Sequence, residues 1–349
     1  MRQNWWKILS VIIIAGTIFG GLLAPIYPGI ESVQPSRIDA GELIVMQIKG
    51  YNTHFAEEND LPRVWLKLDD ENALGATQVM ARNERQLRVS FYIPKSFPDS
   101  QQVSSLSLVI DSKKDGTSVL PGAIFVRHAG NPDQTELLLW KKDPIVHLNK
   151  RSFYGFPYRN ILVETIRNTF FHIPMWFGMI LLFAGSVFYS YRYMRSERIE
   201  DDMRAVSLIH VGILFGVMGL VTGMIWAQYT WGKFWSWDVK QNVSAITLLI
   251  YFALIILRSS FNDEERRARL SAGYNIFAFV LMIPLIFVVP RLTDSLHPGN
   301  GGNPALGGED MDHTMRMIFY PAIIGWTLLG VWISQIIYRF FRVRERILN

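Results

Sequence analysis

The chain has 349 residues, of which 50% are hydrophobic and 13% aromatic, and its mean hydropathy of +0.16 is high for a soluble protein. Because 19% of the residues are charged, a bundle that lies wholly in the bilayer is also excluded, and the composition predicts membrane helices with a water-exposed part. The net charge of +5 indicates cytoplasmic arginine anchors rather than a nucleic-acid-binding surface, and the absence of cysteine excludes disulfides, thiolate metal sites and thiol–disulfide exchange.

The first predicted element is an apolar run over residues 8–26 that follows Arg2 and Lys7. This layout is that of a signal peptide or of an uncleaved first helix. Because the end of the run has no small-x-small cleavage site, we expect a retained transmembrane helix within residues 1–27. Under either interpretation the segment that follows is exported.

Residues 28–163 have the alternating pattern of short β-strands separated by turn residues. The pattern is found in residues 43–49, 64–68, 86–92, 106–110 and 123–127. It predicts an all-β sandwich inserted between the first and second membrane helices, and the opening residues resemble immunoglobulin-like TIG modules. We expect the scattered His54, His128 and His147 to be ordinary surface or packed histidines, without a catalytic role.

Residues 164–349 contain five further apolar runs, several of them close to the ~20 residues needed to cross hydrocarbon. The runs cover residues 173–189, 206–227, 243–257, 274–289 and 317–337. With the first run they predict an α-helical integral membrane protein with six transmembrane helices, five of which form the domain 164–349.

Basic residues predict the orientation of these helices. They are clustered at the N-terminus, in the connections after the second and fourth apolar runs, and at the C-terminus. With six spans all of these segments fall on one side, which the positive-inside rule assigns to the cytoplasm. The β domain and the connections 231–238 and 291–316 are then expected to share the opposite, outer face.

The connection between the third and fourth runs, here named the tryptophan loop (residues 231–238), is unusually aromatic. Its residues are Trp231, Gly232, Lys233, Phe234, Trp235, Ser236, Trp237 and Asp238. One interpretation is an aromatic belt at the level of the lipid headgroups, although a belt does not require the glycine or the acid. The other is a flat aromatic platform for a large planar ligand, with charged groups at its edge.

Two histidines flank the tryptophan loop on the predicted outer face, His172 before it and His297 after it. Two imidazoles can bind iron from opposite sides of a flat macrocycle, so the pair favours a haem site. Lys233, Lys240 and Arg291 are candidate partners for the propionate carboxylates of such a ligand.

These residues resemble the haem-handling protein superfamily of cytochrome c maturation, which is marked by a WGxxWxWD segment between two outer-face histidines. The segment is matched without a gap by Trp231, Gly232, Trp235, Trp237 and Asp238. Residues 170–174, FFHIP, are similar to the first-histidine motif of the CcmC branch, and residues 296–299, LHPG, to its second-histidine segment. The resemblance covers roughly residue 172 to the C-terminus, and the six-span count also fits the CcmC branch.

The resemblance implies a protein that holds haem b at the periplasmic face of the bacterial inner membrane and passes it on without being an enzyme itself. His172 and His297 would be the axial iron ligands, and Asp238 would fix the loop or meet the acceptor. The platform would be formed by Trp231, Trp235 and Trp237. The implied partners are a CcmE-like periplasmic haem chaperone, an ABC-type haem-release complex, a CcmD-like small membrane subunit and the lipid membrane.

Two features keep other interpretations open. The inserted β domain of more than a hundred residues is longer than the short link typical of CcmC, and the segment SWDVK at 236–240 is closer to the CcsA motif. A CcsA-type subunit of a cytochrome c synthetase is therefore an alternative, although only His210 is available as a histidine inside the membrane. Alternatives from other classes are an electron-transfer cytochrome b and a non-haem scaffold that anchors the β domain.

Overall fold

The computed structural model describes residues 4–56, 61–99, 101–128, 133–151, 154–160, 162–297 and 311–348. The chain divides into two compact units, Met1–Ala24 with Glu164–Asn349, and Pro25–Val163. The first is helical and is called the membrane unit, and the second is built on β-sheets and is called the β unit. The predicted fold class, a helical membrane protein with a β domain between its first and later helices, is confirmed.

The described residues of the membrane unit form six long helices, which are numbered together with the short helix α2 (Gln134–Leu137) of the β unit. They are α1 (Trp5–Leu23), α3 (Thr169–Ser196), α4 (Ile199–Trp231), α5 (Val239–Ser259), α6 (Glu264–Ile283) and α7 (His313–Leu348). A 3-10 turn (Val163–Asn168) leads into α3, and a π turn (Pro284–Val288) and a 3-10 turn (Val289–Arg291) extend α6. The described residues contain six helical segments long and apolar enough to cross a membrane, as the sequence predicted.

Local capping signals place the tryptophan loop between α4 and α5. Helix α4 ends at Gly232, whose φ of +76° is a left-handed conformation that glycine adopts without strain from a Cβ atom. Helix α5 begins after Asp238, whose side chain accepts a hydrogen bond from the Lys240 backbone N–H. The connection between the two helices is therefore short and is anchored at both ends.

Hydrogen bonds between helices hold the interior of the membrane unit together. Ser10 on α1 donates from Oγ to the carbonyl oxygen of Gly325 on α7 at 3.0 Å. Asn275 on α6 donates from Nδ2 to Ser186 Oγ at 2.9 Å and to Ser190 Oγ at 3.0 Å, both on α3. These side chains are buried, and such contacts stabilise helix pairs where water is not available to satisfy polar groups.

The residues of the β unit that the structure describes form nine strands in two sheets. The strands are β1 (Gly29–Gln34), β2 (Arg37–Asp39), β3 (Leu43–Tyr51), β4 (Arg63–Lys67), β5 (Ala73–Gly75), β6 (Gln78–Asn83), β7 (Gln86–Tyr92), β8 (Val103–Ser112) and β9 (Gly116–Arg127). One sheet has the order β1-β3-β7-β6 and the other β2-β9-β8-β4-β5, and β2 pairs with β9 in parallel. The short helix α2 (Gln134–Leu137) and a 3-10 turn (Leu138–Lys141) follow.

The core of the β unit is formed by the alternate residues that each sheet directs inward. Met46 and Val89 from the first sheet share one buried cluster with Leu66, Leu108 and Ile124 from the second. This arrangement is a sandwich, because two apolar sheet faces pack against each other. The alternating pattern in the sequence arises from this one-sided burial.

Two of the β-unit histidines for which we expected no catalytic role, His54 and His128, contact different groups. His54 Nδ1 lies 2.8 Å from the Asp115 carboxylate. His128 Nε2 lies 2.8 Å from Ser104 Oγ, and its ring stacks on Phe97. Within the described part of the chain, no group of three or more histidine and acidic side chains could hold a metal ion.

One buried carboxylate, Asp111, joins strands β4 and β9 to the segment that follows the sandwich. It accepts hydrogen bonds from Arg63 Nη2 at 2.5 Å and from Thr117 Oγ1 at 2.7 Å. The backbone N–H and the side-chain amide of Asn149 each donate to it at 2.8 Å. Removal of this carboxylate would leave several donors without their acceptor.

We therefore predict that Asp111→Ala lowers the unfolding free energy of the β unit by on the order of 3 kcal/mol, since hydrogen bonds to a charged group are lost. The unfolding free energy is measured on the purified full-length protein in increasing urea, with protease cleavage of the β unit as the signal of its unfolding. The matched control is Asp70→Ala, which removes an exposed carboxylate paired with Lys67 and should change the stability little. Equal losses in both variants would contradict the assignment.

Candidate functional site

The imidazole of His172 is oriented by helix α4. Its Nδ1 lies 2.9 Å from the Gly219 carbonyl oxygen and 3.1 Å from Thr222 Oγ1. A carbonyl oxygen only accepts hydrogen bonds, so Nδ1 carries the proton and Nε2 keeps its lone pair. Trp176 and Trp226 contact the ring edge-on, with centroid distances of 6.3 and 5.7 Å.

Two glycines on α4 make room for these rings. A Cβ atom on Gly223 would lie 2.7 Å from His172 Cε1, and one on Gly219 would lie 2.9 Å from Trp176 Cε2. Both distances are shorter than side-chain packing tolerates. The imidazole can therefore lie against α4 only because residues one turn apart lack side chains.

His297 is held by the last residue of the tryptophan loop. Its Nδ1 lies 2.8 Å from Asp238 Oδ1, and its ring contacts Trp231 with a centroid distance of 4.7 Å. The Leu296 backbone N–H donates to Asp238 Oδ2 at 2.7 Å, and Ser295 Oγ donates to Oδ1 at 3.1 Å. One carboxylate thus orients the second imidazole and the residues before it.

The charge state of Asp238 follows from these bonds. Burial of the side chain favours the neutral acid. The hydrogen bonds from His297 and from the Leu296 backbone N–H outweigh burial and hold the pKa of Asp238 well below its usual value. The group is therefore a carboxylate at neutral pH, and it orients His297 with Nδ1–H toward itself and Nε2 away from it.

Side chains in the first turn of α5 form hydrogen bonds with the backbone of the tryptophan loop and with Ser236 Oγ. Gln241 Oε1 accepts from the Ser236 backbone N–H at 2.9 Å and from Ser236 Oγ at 3.0 Å. Asn242 Nδ2 donates to the Trp237 carbonyl oxygen at 2.9 Å. Trp237 has a φ of +59° and a side chain that is 78% exposed, so this ring is presented outward.

The three tryptophans of the predicted platform are not equivalent. Trp231 lies against His297, whereas Trp235 and Trp237 contact each other edge-on at an interplanar angle of 87°. Because that pair is nearly perpendicular, its two rings do not form a single flat surface. Trp176 and Trp226, next to His172, are aromatic neighbours of the site to which the sequence analysis gave no role.

His172 and His297 border the same cavity of the membrane unit. The cavity has a volume of about 160 Å³ and is partly open to solvent. Trp176, Leu220 and Ile286 supply apolar lining. Among the described residues, neither imidazole has a hydrogen-bond partner at Nε2.

Of the three cationic residues that the sequence proposed, only one is among the residues that line the cavity. Lys240 is part of its lining and interacts electrostatically with Asp238 and Arg291. Arg291 and Lys233 are exposed and are not among the lining residues, and Gly232 is the left-handed cap of α4. Gly299 of the second-histidine segment lies outside the described residues.

The structure gives a role in the site to residues for which sequence reasoning proposed none. Gly219, Gly223 and Thr222 surround His172, and Gln241 holds the loop. The spacing of the two glycines is a recognisable sign of close contact along a membrane helix. The role of Gln241 has no comparable sequence signal, because it depends on the path of the loop.

Comparison with known proteins identifies the family of the second part of the chain. The family model described as heme exporter protein C matches residues 153–349, more than half of the chain. The heme exporter protein C of Haemophilus influenzae is 27% identical over 146 residues, which are 42% of this chain and 58% of that protein. The corresponding protein of Bradyrhizobium diazoefficiens is 26% identical over 188 residues, 52% of this chain and 69% of its own length.

A second group of relatives has a different name. The cytochrome c biogenesis protein CcsA of Pelargonium hortorum is 32% identical over 118 residues, which are 34% of this chain and 36% of that protein. The chain thus spans less than two thirds of the length of this relative and of the Haemophilus protein.

The glycine packing yields a prediction. Gly223→Ala should push the His172 ring out of its position. If His172 is an axial iron ligand, as the sequence predicts, haem binding by the purified protein should fall about tenfold or more, because a ligand displaced by an ångström loses much of its bonding. Haem titration monitored by absorbance measures the effect.

The matched control is Gly273→Ala on α6, since a Cβ atom there would meet nothing within 4 Å. This variant should bind haem like the unmodified protein. If both variants bind alike, the close approach at Gly223 does not position His172.

Proposed function

The chain belongs to the heme exporter protein C family, and on this premise we propose that it binds haem b in the cavity between His172 and His297 and passes it to a periplasmic acceptor. The single observation that carries the proposal is that both imidazoles border one cavity with Nδ1 hydrogen-bonded and Nε2 left for iron. Neutral imidazoles held in this way are suitable axial ligands.

The residues around the cavity fit a porphyrin. When bound, haem would supply an iron centre able to take one imidazole on each side. Trp176 and Trp231 lie beside the two histidines and would pack against the macrocycle. Lys240 would pair with a propionate, with Arg291 and Lys233 farther out.

The orientation we propose places the chain termini in the cytoplasm and the cavity at the periplasmic face of a bacterial inner membrane. The basic connections after the second and fourth spans support this arrangement. Haem held at that face would be accessible to acceptors outside the membrane.

Transfer to an acceptor is the second part of the proposal. Trp237 and Phe234 expose 78% and 55% of their surface beside the site, as expected of groups that meet another protein. The acceptor would be a CcmE-like haem chaperone, with an ABC-type release complex and a CcmD-like small subunit as further partners. The side chains of this protein would only hold haem, without forming a covalent bond to it.

A CcsA-type subunit of a cytochrome c synthetase is the second candidate. The similarity to the Pelargonium CcsA protein over 118 residues favours it. Purification of the tagged protein from its native membrane discriminates the two. Co-purification of a small haem chaperone and an ABC transporter supports the first candidate, and a large partner with its own periplasmic domain supports the second.

The ligand assignment predicts that His172→Ala and His297→Ala each abolish the low-spin bis-histidine spectrum and lower the haem content of the purified protein. Reduced and oxidised absorption spectra measure both. His313→Ala is the control, because His313 is an exposed residue at the start of α7. Unchanged spectra in both ligand variants would reject the assignment.

A further inference from the structure

The two histidines of the cavity differ in the group that accepts the hydrogen bond from Nδ1–H. His297 Nδ1 faces the carboxylate of Asp238 at 2.8 Å. His172 Nδ1 faces two neutral acceptors, the Gly219 carbonyl oxygen at 2.9 Å and Thr222 Oγ1 at 3.1 Å. One imidazole therefore donates to a negative charge and the other to uncharged groups.

This difference has a chemical consequence at Nε2. A hydrogen bond from Nδ1–H to a carboxylate shifts electron density toward the opposite ring nitrogen and strengthens it as a metal ligand. A carbonyl or hydroxyl acceptor produces the same effect to a smaller degree. An iron atom bound by both rings would thus meet ligands of unequal donor strength.

Asp238 is also the most firmly held carboxylate of the site. It accepts from Lys240 N at 2.9 Å, from Leu296 N at 2.7 Å and from Ser295 Oγ at 3.1 Å, in addition to His297. Its side chain is 1% exposed, so water does not screen its charge. The carboxylate is therefore fixed in place before any ligand arrives.

We infer that Asp238 is a positioning residue that makes His297 the stronger of two unequal axial ligands and so favours ferric over ferrous haem. The inference rests on the proposed function. A stronger, more anionic donor stabilises the higher iron charge, so ferric haem is bound more tightly and the reduction potential is lowered.

The test is Asp238→Asn in the full-length protein reconstituted with haem. Asparagine keeps the size of the side chain and remains a good helix cap for α5 through Oδ1. Its amide nitrogen cannot accept the hydrogen bond that Leu296 N donates to Oδ2, so the charge and this one bond are removed. The reduction potential should rise, and the affinity for ferric haem should fall about tenfold or more relative to that for ferrous haem. Potentiometric titration and haem-dissociation measurements in both oxidation states give these values.

Thr222→Val is the matched control on the other side. It removes the neutral hydroxyl beside His172 and leaves the Gly219 carbonyl oxygen as acceptor, so the potential should change much less than in Asp238→Asn. Equal shifts in both variants would overturn the inference. An unchanged potential in Asp238→Asn, or equal losses of ferric and ferrous affinity, would also overturn it, because they indicate packing alone.

If Asp238→Asn does not retain haem, Ser295→Ala tests the same inference. It removes a neutral donor from the same carboxylate oxygen that His297 uses, which leaves more negative charge for the imidazole. It also removes the acceptor of the His297 backbone N–H, which does not contact the carboxylate. The potential should then fall, and an unchanged or higher potential would overturn the inference. If the unmodified protein has no bis-histidine spectrum, the proposed function itself fails.

Discussion

The hydrogen bonds to the Asp238 carboxylate join the parts of the site that the chain keeps apart. Asp238 begins helix α5 by accepting from Lys240 N, and it holds His297, which lies 59 positions later in the sequence. A buried carboxylate is stable only if its charge is compensated by donors, and here four groups supply them. The presence of an aspartate at the end of the tryptophan loop is thus explained by hydrogen bonds that its carboxylate accepts from other groups of this chain.

The other side of the cavity depends on close packing rather than on charge. His172 lies against α4 because Gly219 and Gly223 have no side chains to displace it. The same contact satisfies Nδ1, which matters in a membrane-embedded helix pair where an unpaired polar group is costly. Each imidazole is therefore oriented through one nitrogen, and the other nitrogen is left for a ligand.

The β unit is organised independently of these contacts. Its two sheets bury one common core, and Asp111 ties the following segment to the strands. An inserted domain of this kind leaves the number of apolar helices unchanged. The family model accordingly matches residues 153–349, which include helices α3 to α7.

Much of the architecture was determined by the sequence alone, because membrane spans and sheet faces have local signals. Apolar runs of spanning length predicted all six helices, and period-two alternation predicted the sandwich. The motif around Asp238 also singled out His172 and His297 as candidate ligands, which the tertiary structure then placed at one cavity.

Only the tertiary structure decided how the site residues meet. The pairing of Asp238 with His297, the approach of Gly223 to His172 and the perpendicular rings of Trp235 and Trp237 depend on helix packing and on side-chain rotamers. Local sequence patterns specify which face of a helix is apolar, but they do not specify which residues of distant segments come into contact. Those contacts form only when the helices pack, and they distinguish the surroundings of the two histidines.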